Sequence, residues 1–170
     1  SPAACALADR TAAANGLTDR LITLPCDLRD RRQLPSAGRF DLAVSNPPYF
    51  PAGGGKTAAG SRGIHRAELA CTMEQLCAAA AYLLRSGGQF CLVYRTERLA
   101  ELMETLRRHR LEPKVLRFVQ KNAASAPSLL LMACRKDGGT GLTVQPPLLL
   151  QNDDGTETPE LRRIYFKEKG

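Results

Sequence analysis

Asn46-Pro47-Pro48-Tyr49 brings an amide, a rigid backbone and an aromatic ring together within four residues. Proline locks its own φ and lacks an N–H. It also pushes the residue before it out of the helical region, so Asn46 is held extended by the prolines behind it. The Asn46 side-chain oxygen and the Pro47 carbonyl are both acceptors. Such a pair suits a planar –NH₂ group, which has two donors. Accepting both hydrogens draws the nitrogen lone pair out of conjugation and toward an electrophile. Tyr49 supplies a face for a flat base, a contact worth roughly 1–3 kcal/mol. The structural alternative is an ordinary turn, with Tyr49 covering the edge of a core.

The elements around this tetrapeptide decide between those uses. Asp41-Leu42-Ala43-Val44-Ser45 reads as a buried strand of an α/β sheet, and ligands of open α/β sheets bind at the carboxyl ends of strands. Before it, Ser1-Pro2 reads as a helix start and Asn15-Gly16 as its stop. Leu21-Ile22-Thr23-Leu24 reads as a second strand, ending at Pro25-Cys26-Asp27-Leu28. After it, Thr72-Met73-Glu74-Gln75 is a capping box, and apolar residues recur at helical spacing up to Leu84. Ser86-Gly87-Gly88 reads as the stop of that helix, residues 89–94 as a buried strand and 97–109 as a helix. Residues 113–119 and 128–134 read as two strands, and 142–150 as an edge segment interrupted by Pro146-Pro147. Thr158-Pro159 caps a short final helix.

Length and composition set the outer bounds. The 170 residues suggest one domain, and 44% apolar content is enough for a core. No run approaches the ~18 apolar residues of a membrane helix, and the first residues carry no signal-like pattern. A net charge of +7 favours an anionic partner such as nucleic acid, although a solvated basic surface has the same charge. The six cysteines lack a Cys-x-x-Cys pair, and with only His65 and His109 beside them a zinc cluster is not expected. Free thiols in a reducing cytoplasm fit better. Gly55-Lys56-Thr57 hints at a phosphate loop, but that motif needs glycine at position 50, where Phe50 stands, so a nucleotide-triphosphatase is excluded. The basic, glycine-rich stretch from Pro51 to Gly63 predicts mobility. It is either a spacer or a cover over RNA, with Lys56, Arg62, His65 and Arg66 near phosphates. The arginines at 29, 31 and 32 read as a solvated loop. Those at 107, 108 and 110 read as complements to a helix dipole.

Asn46-Pro47-Pro48-Tyr49 resembles the signature of class I S-adenosylmethionine-dependent methyltransferases acting on exocyclic or side-chain amide nitrogens. Phe50, Ile64-His65-Arg66-Ala67-Glu68-Leu69 and Leu161-Arg162-Arg163-Ile164-Tyr165 narrow the resemblance to bacterial tRNA adenine-N6 methyltransferases. It extends over nearly the whole chain. It implies a Rossmann-like, three-layer αβα fold, S-adenosylmethionine as cofactor, and an exocyclic adenine amine in RNA, most simply tRNA, as substrate. Asn46 and Pro47 would orient the amine and Tyr49 would stack on the base, with Pro48 and Phe50 beside it. No general base is needed before attack, because the amine becomes acidic only after gaining the methyl group. Asp27 would accept a hydrogen bond from the cofactor's adenine, with Leu28 against the ring and Asn46 also counted among the cofactor-binding residues; an aspartate that merely begins a turn is the other reading of Asp27.

The resemblance also implies a fragment, because the family's first strand and its Gly-rich cofactor loop do not precede residue 1. The expectations are weak cofactor binding by this chain alone and an edge at residues 41–45 that is open or covered by a second copy as a homodimer. Two rival functions remain: methylation of a protein glutamine amide, which is also a planar –NH₂, and a non-catalytic interaction domain.

Overall fold

The structure is a computed structural model that describes residues 2–47 and 71–166. Pro48, Tyr49, Phe50, Lys56, Arg62, His65 and Arg66 therefore lie outside the described residues, as does the mobility expected of that stretch. The chain divides into two compact units, Ser1–Leu34 and Pro35–Gly170.

In the first unit, helix α1 spans Pro2–Ala14. It ends as read from Asn15-Gly16: Gly16 takes φ +63°, and the Leu17 N–H donates to the Ala12 carbonyl at 2.8 Å. That is the wrapped C-terminus that left-handed glycine permits. The strand expected at Leu21-Ile22-Thr23-Leu24 does not form; these residues have no strand pairing among the described residues, and Ile22 is 82% exposed. An apolar, β-branched run is a strand only when a neighbour takes its N–H and C=O groups.

The second unit holds a five-stranded sheet. Its strands are β1 (Phe40–Ser45), β2 (Leu84–Arg95), β3 (Leu111–Gln120), β4 (Leu129–Lys136) and β5 (Thr143–Leu149), in the order β1-β2-β4-β3-β5. β1 runs parallel to β2, and β5 parallel to β3. β4 lies antiparallel between β2 and β3, so the last expected pair is antiparallel. Helices α2 (Met73–Leu83) and α3 (Leu99–Arg108) cover one face. Cys77 and Ala80 of α2 and Leu102 and Leu106 of α3 meet Phe90, Leu92, Tyr94, Leu116, Leu130 and Met132 of the sheet. Alternation along a strand turns Arg117 to the opposite face from Leu116. There it holds helix α4 (Pro159–Ile164) through Glu160, at 2.7 and 2.8 Å.

Two local readings change. β1 is not a buried strand: its only partner among the described residues is β2, and Val44 is 73% exposed while Ala43 packs on the core. Among the described residues the outer edge of β1 has no strand pairing. Ser86-Gly87-Gly88 is not a helix stop either, because the chain passes straight from α2 into β2 at Leu84 and the glycines lie inside that strand. Pairing jumps there from Phe40↔Leu84 to Leu42↔Gln89. A Cβ on Gly88 would stand 2.9 Å from the Arg85 carbonyl oxygen and 3.2 Å from that of Phe40. Glycine is needed for close backbone approach, not for a cap.

The capping box at α2 is complete. The Gln75 N–H donates to Thr72 Oγ1 at 3.2 Å, and the Thr72 N–H donates to Gln75 Oε1 at 2.9 Å. Thr72→Ala leaves a helix donor without its partner and is expected to cost about 1 kcal/mol. In a domain of this size that lowers the melting temperature by roughly 2–4 °C, readable by thermal circular dichroism.

All six cysteines are free. Burial pushes the Cys77 thiol up to about 12 and raises that of Cys134 as well, so neither is a reactive thiolate. No helix among the described residues is long and apolar enough to cross a membrane.

Candidate active site

Parallel pairing brings the carboxyl ends of β1 and β2 to the same end of the sheet. Ser45 pairs with Leu92, and Asn46 is the first residue beyond β1. Asn46 is exposed and Pro47 half-buried. An amide packed into the core would have ruled out the chemistry read from the motif; this one faces outward at the strand end where α/β sheets bind ligands.

β2 continues past this level through Val93, Tyr94 and Arg95 and then turns into the short 3-10 segment Thr96–Arg98. The Thr96 hydroxyl is buried there with no hydrogen-bond partner among the described residues, and leaving such a group unmet costs about 1–3 kcal/mol. Arg95 donates to Glu97 at 3.2 Å. Arg98 lies over the Tyr94 ring, 5.7 Å from its centroid, and pairs with Glu101. Nothing in the local sequence around Thr96 marks it; its N–H donates to the Ser128 carbonyl at 3.3 Å, on the β4 side of β2.

β3 is parallel in direction to β1 and β2, so its carboxyl end also lies here. The loop after it is braced: Gln120 Nε2 donates to the Ser125 carbonyl at 2.9 Å, and Ser125 Oγ donates to Asn122 Oδ1 at 2.7 Å. β5 ends beside it, with the Leu150 N–H donating to the Gln120 carbonyl.

Asp27 belongs to the first unit and does begin a turn. Its Oδ1 accepts the Arg29 N–H at 2.9 Å, while the Arg29 guanidinium grips both carboxylate oxygens, Nε to Oδ1 at 2.9 Å and Nη2 to Oδ2 at 2.7 Å. Hydrogen bonds from the Arg29 side chain, then from its backbone, hold the Asp27 carboxyl down at about 2. Asp27 is therefore a pure acceptor at neutral pH. Leu28 next to it is half-buried. Because the folded value is depressed, whatever this pair adds to stability is present above the ordinary value of 3.8 and lost as pH falls toward 2. In Arg29→Ala the Asp27 carboxyl should titrate close to 3.8 instead of about 2, as followed by carboxyl-carbon NMR.

The basic runs are largely matched by acids. Arg32 pairs with Asp30. Arg107 pairs with Glu112, Arg108 with Glu74 and Glu104, and Arg110 with Asp137. Arg107 and Arg108 stand in the last turn of α3, as the helix-dipole reading expects, and are ion-paired as well.

No protein-family model matches the chain. Two curated tRNA1(Val) (adenine(37)-N6)-methyltransferases, from Porphyromonas gingivalis strains W83 and ATCC 33277, are each 29% identical over 168 residues. The match takes in 96% of this chain and 65% of each relative, so the chain spans about 65% of the length of the curated relatives it matches. Among solved structures, a predicted O-methyltransferase of Agrobacterium tumefaciens superposes with a TM-score of 0.77 at 18% identity, covering 96% of this chain and 73% of that one. The Burkholderia thailandensis 1,6-didemethyltoxoflavin-N1-methyltransferase, solved with S-adenosylhomocysteine, gives 0.50 at 18% identity over 76% of this chain and 57% of its own. The chain has the fold of class I methyltransferases, and nearly all of its sequence is similar to curated tRNA adenine-N6 methyltransferases.

Proposed function

We propose that this chain forms part of an enzyme that transfers a methyl group from S-adenosylmethionine to the exocyclic amine of an adenine in tRNA. The observation that carries the reading is Asn46: an exposed amide at the carboxyl end of β1, backed by Pro47. The name of the curated relatives, tRNA1(Val) (adenine(37)-N6)-methyltransferase, supports the choice of tRNA over a protein amide.

The residues present fit the cofactor. Asp27 stays ionised and so can accept from an adenine amine, although Arg29 already occupies much of its lone-pair capacity. When bound, S-adenosylmethionine supplies an electrophilic methyl group. The chain's own part is positioning. Asn46 Oδ1 and the Pro47 carbonyl accept the two hydrogens of the target amine and aim its lone pair; Tyr49 holds the base, which must be unpaired or flipped out. Pro48, Phe50, Lys56, Arg62 and Arg66 complete the proposal on the substrate side.

The test is a transfer assay with the intact protein, methyl-labelled S-adenosylmethionine and total tRNA, followed by nucleoside analysis. Label in N6-methyladenosine supports the reading. Label in protein glutamine, or none in any nucleoside, overturns it.

A further inference from the structure

The start of α4 is firmly held. Thr158 Oγ1 donates to the Leu149 carbonyl at 2.7 Å and accepts the Leu161 N–H at 3.2 Å. Arg117 grips Glu160 with both Nη atoms and donates from Nε to the Pro146 carbonyl at 2.9 Å. Strand directions place this anchor at the same end of the sheet as Asn46, since β1, β2, β3 and β5 all run the same way. Four strand spacings of about 4.8 Å separate the β1 and β5 edges, so Asn46 and the anchor are roughly 19 Å apart across the sheet.

The other end of α4 is built against the interests of folding. Tyr165 is 65% exposed and Phe166 is 92% exposed. Phe166 also sits at φ +53°, and its N–H donates to the Arg163 carbonyl at 3.0 Å. That left-handed cap position normally takes glycine, and a bulky side chain there is strained. An aromatic ring is thus kept where backbone strain and exposure both oppose it. Strain of this kind gathers at functional sites. Arg162 and Arg163 stand in the last turn of α4, just before the two rings.

We propose that the turn Arg162-Arg163-Ile164-Tyr165-Phe166 grips RNA, the two arginines neutralising phosphates and the two aromatic rings stacking on unpaired bases. This rests on the tRNA methyltransferase reading and adds to it a second hold, remote from the reacting amine. Arginine beside exposed aromatic side chains is the chemistry that binds single-stranded nucleic acid. An apolar protein partner would need the rings but not the arginines.

The test measures affinity for end-labelled, unfractionated tRNA over a salt series, with circular dichroism confirming that each variant is folded. Arg162→Gln with Arg163→Gln should weaken binding and flatten the slope of log affinity against log salt by roughly 1.4–1.8, the value for two lost phosphate contacts. The same pair changed to lysine should keep the wild-type slope. Tyr165→Ala with Phe166→Ala should lower affinity at least about fivefold and leave the slope unchanged. Wild-type binding that none of these variants alters overturns this proposal alone. A wild-type protein with no salt-dependent tRNA binding overturns the RNA reading and this proposal with it.

Discussion

Asn46→Ala in the intact protein is expected to slow methyl transfer to tRNA by at least about 10²-fold while leaving tRNA affinity unchanged. Removing one preorganised polar group that acts on the reacting centre commonly costs 10²–10³ in kcat. Asn46 carries no charge, so its loss takes nothing from phosphate binding. The deficit should therefore appear in single-turnover rate and not in the dissociation constant. Asn46→Asp keeps an acceptor oxygen at the same place and should lose less than the alanine variant. Transfer by Asn46→Ala at the wild-type rate would end the assignment of this residue.

The second large effect is on the fold that holds Asn46. Phe90 is buried in β2, in register with Ala43 of β1 and Cys134 of β4. Truncating a buried phenylalanine to alanine costs about 3–5 kcal/mol, a large share of the 5–15 kcal/mol typical of a whole domain. The melting temperature of Phe90→Ala should fall by roughly 6–20 °C. Phe90→Leu keeps most of the volume and should lose far less. β1 has β2 as its single ladder partner among the described residues, so loosening β2 at Phe90 also loosens the strand that presents Asn46. A denaturation midpoint for Phe90→Ala within error of wild type would show that the β1–β2 seam does not depend on this ring.

Several elements were legible because their causes are local. The Thr72 and Gln75 pair signals its helix start within four residues, and the double hydrogen bond forms as the spacing implies. Pro146-Pro147 cannot donate to a ladder, and β5 does lie at a sheet edge, with its register shift beside those prolines. The readings that changed depend on neighbours distant in sequence. Leu21-Ile22-Thr23-Leu24 has the composition of a strand but no described strand to pair with. Gly87-Gly88 resembles a cap until the Phe40 carbonyl is seen pressing on the Gly88 position.

The site divides the same way. The tetrapeptide's chemistry lies in four covalently adjacent residues, where two prolines restrict a backbone whatever surrounds it. That an amide acceptor would be held beside a carbonyl acceptor was therefore written in the chain itself. Where that pair faces, and what stands around it, was not. The exposure of Asn46 and the arrival of α4 at the same end of the sheet follow from strand order and register. Those are set by which apolar faces are buried together across the whole sheet, and no local window of sequence contains that balance.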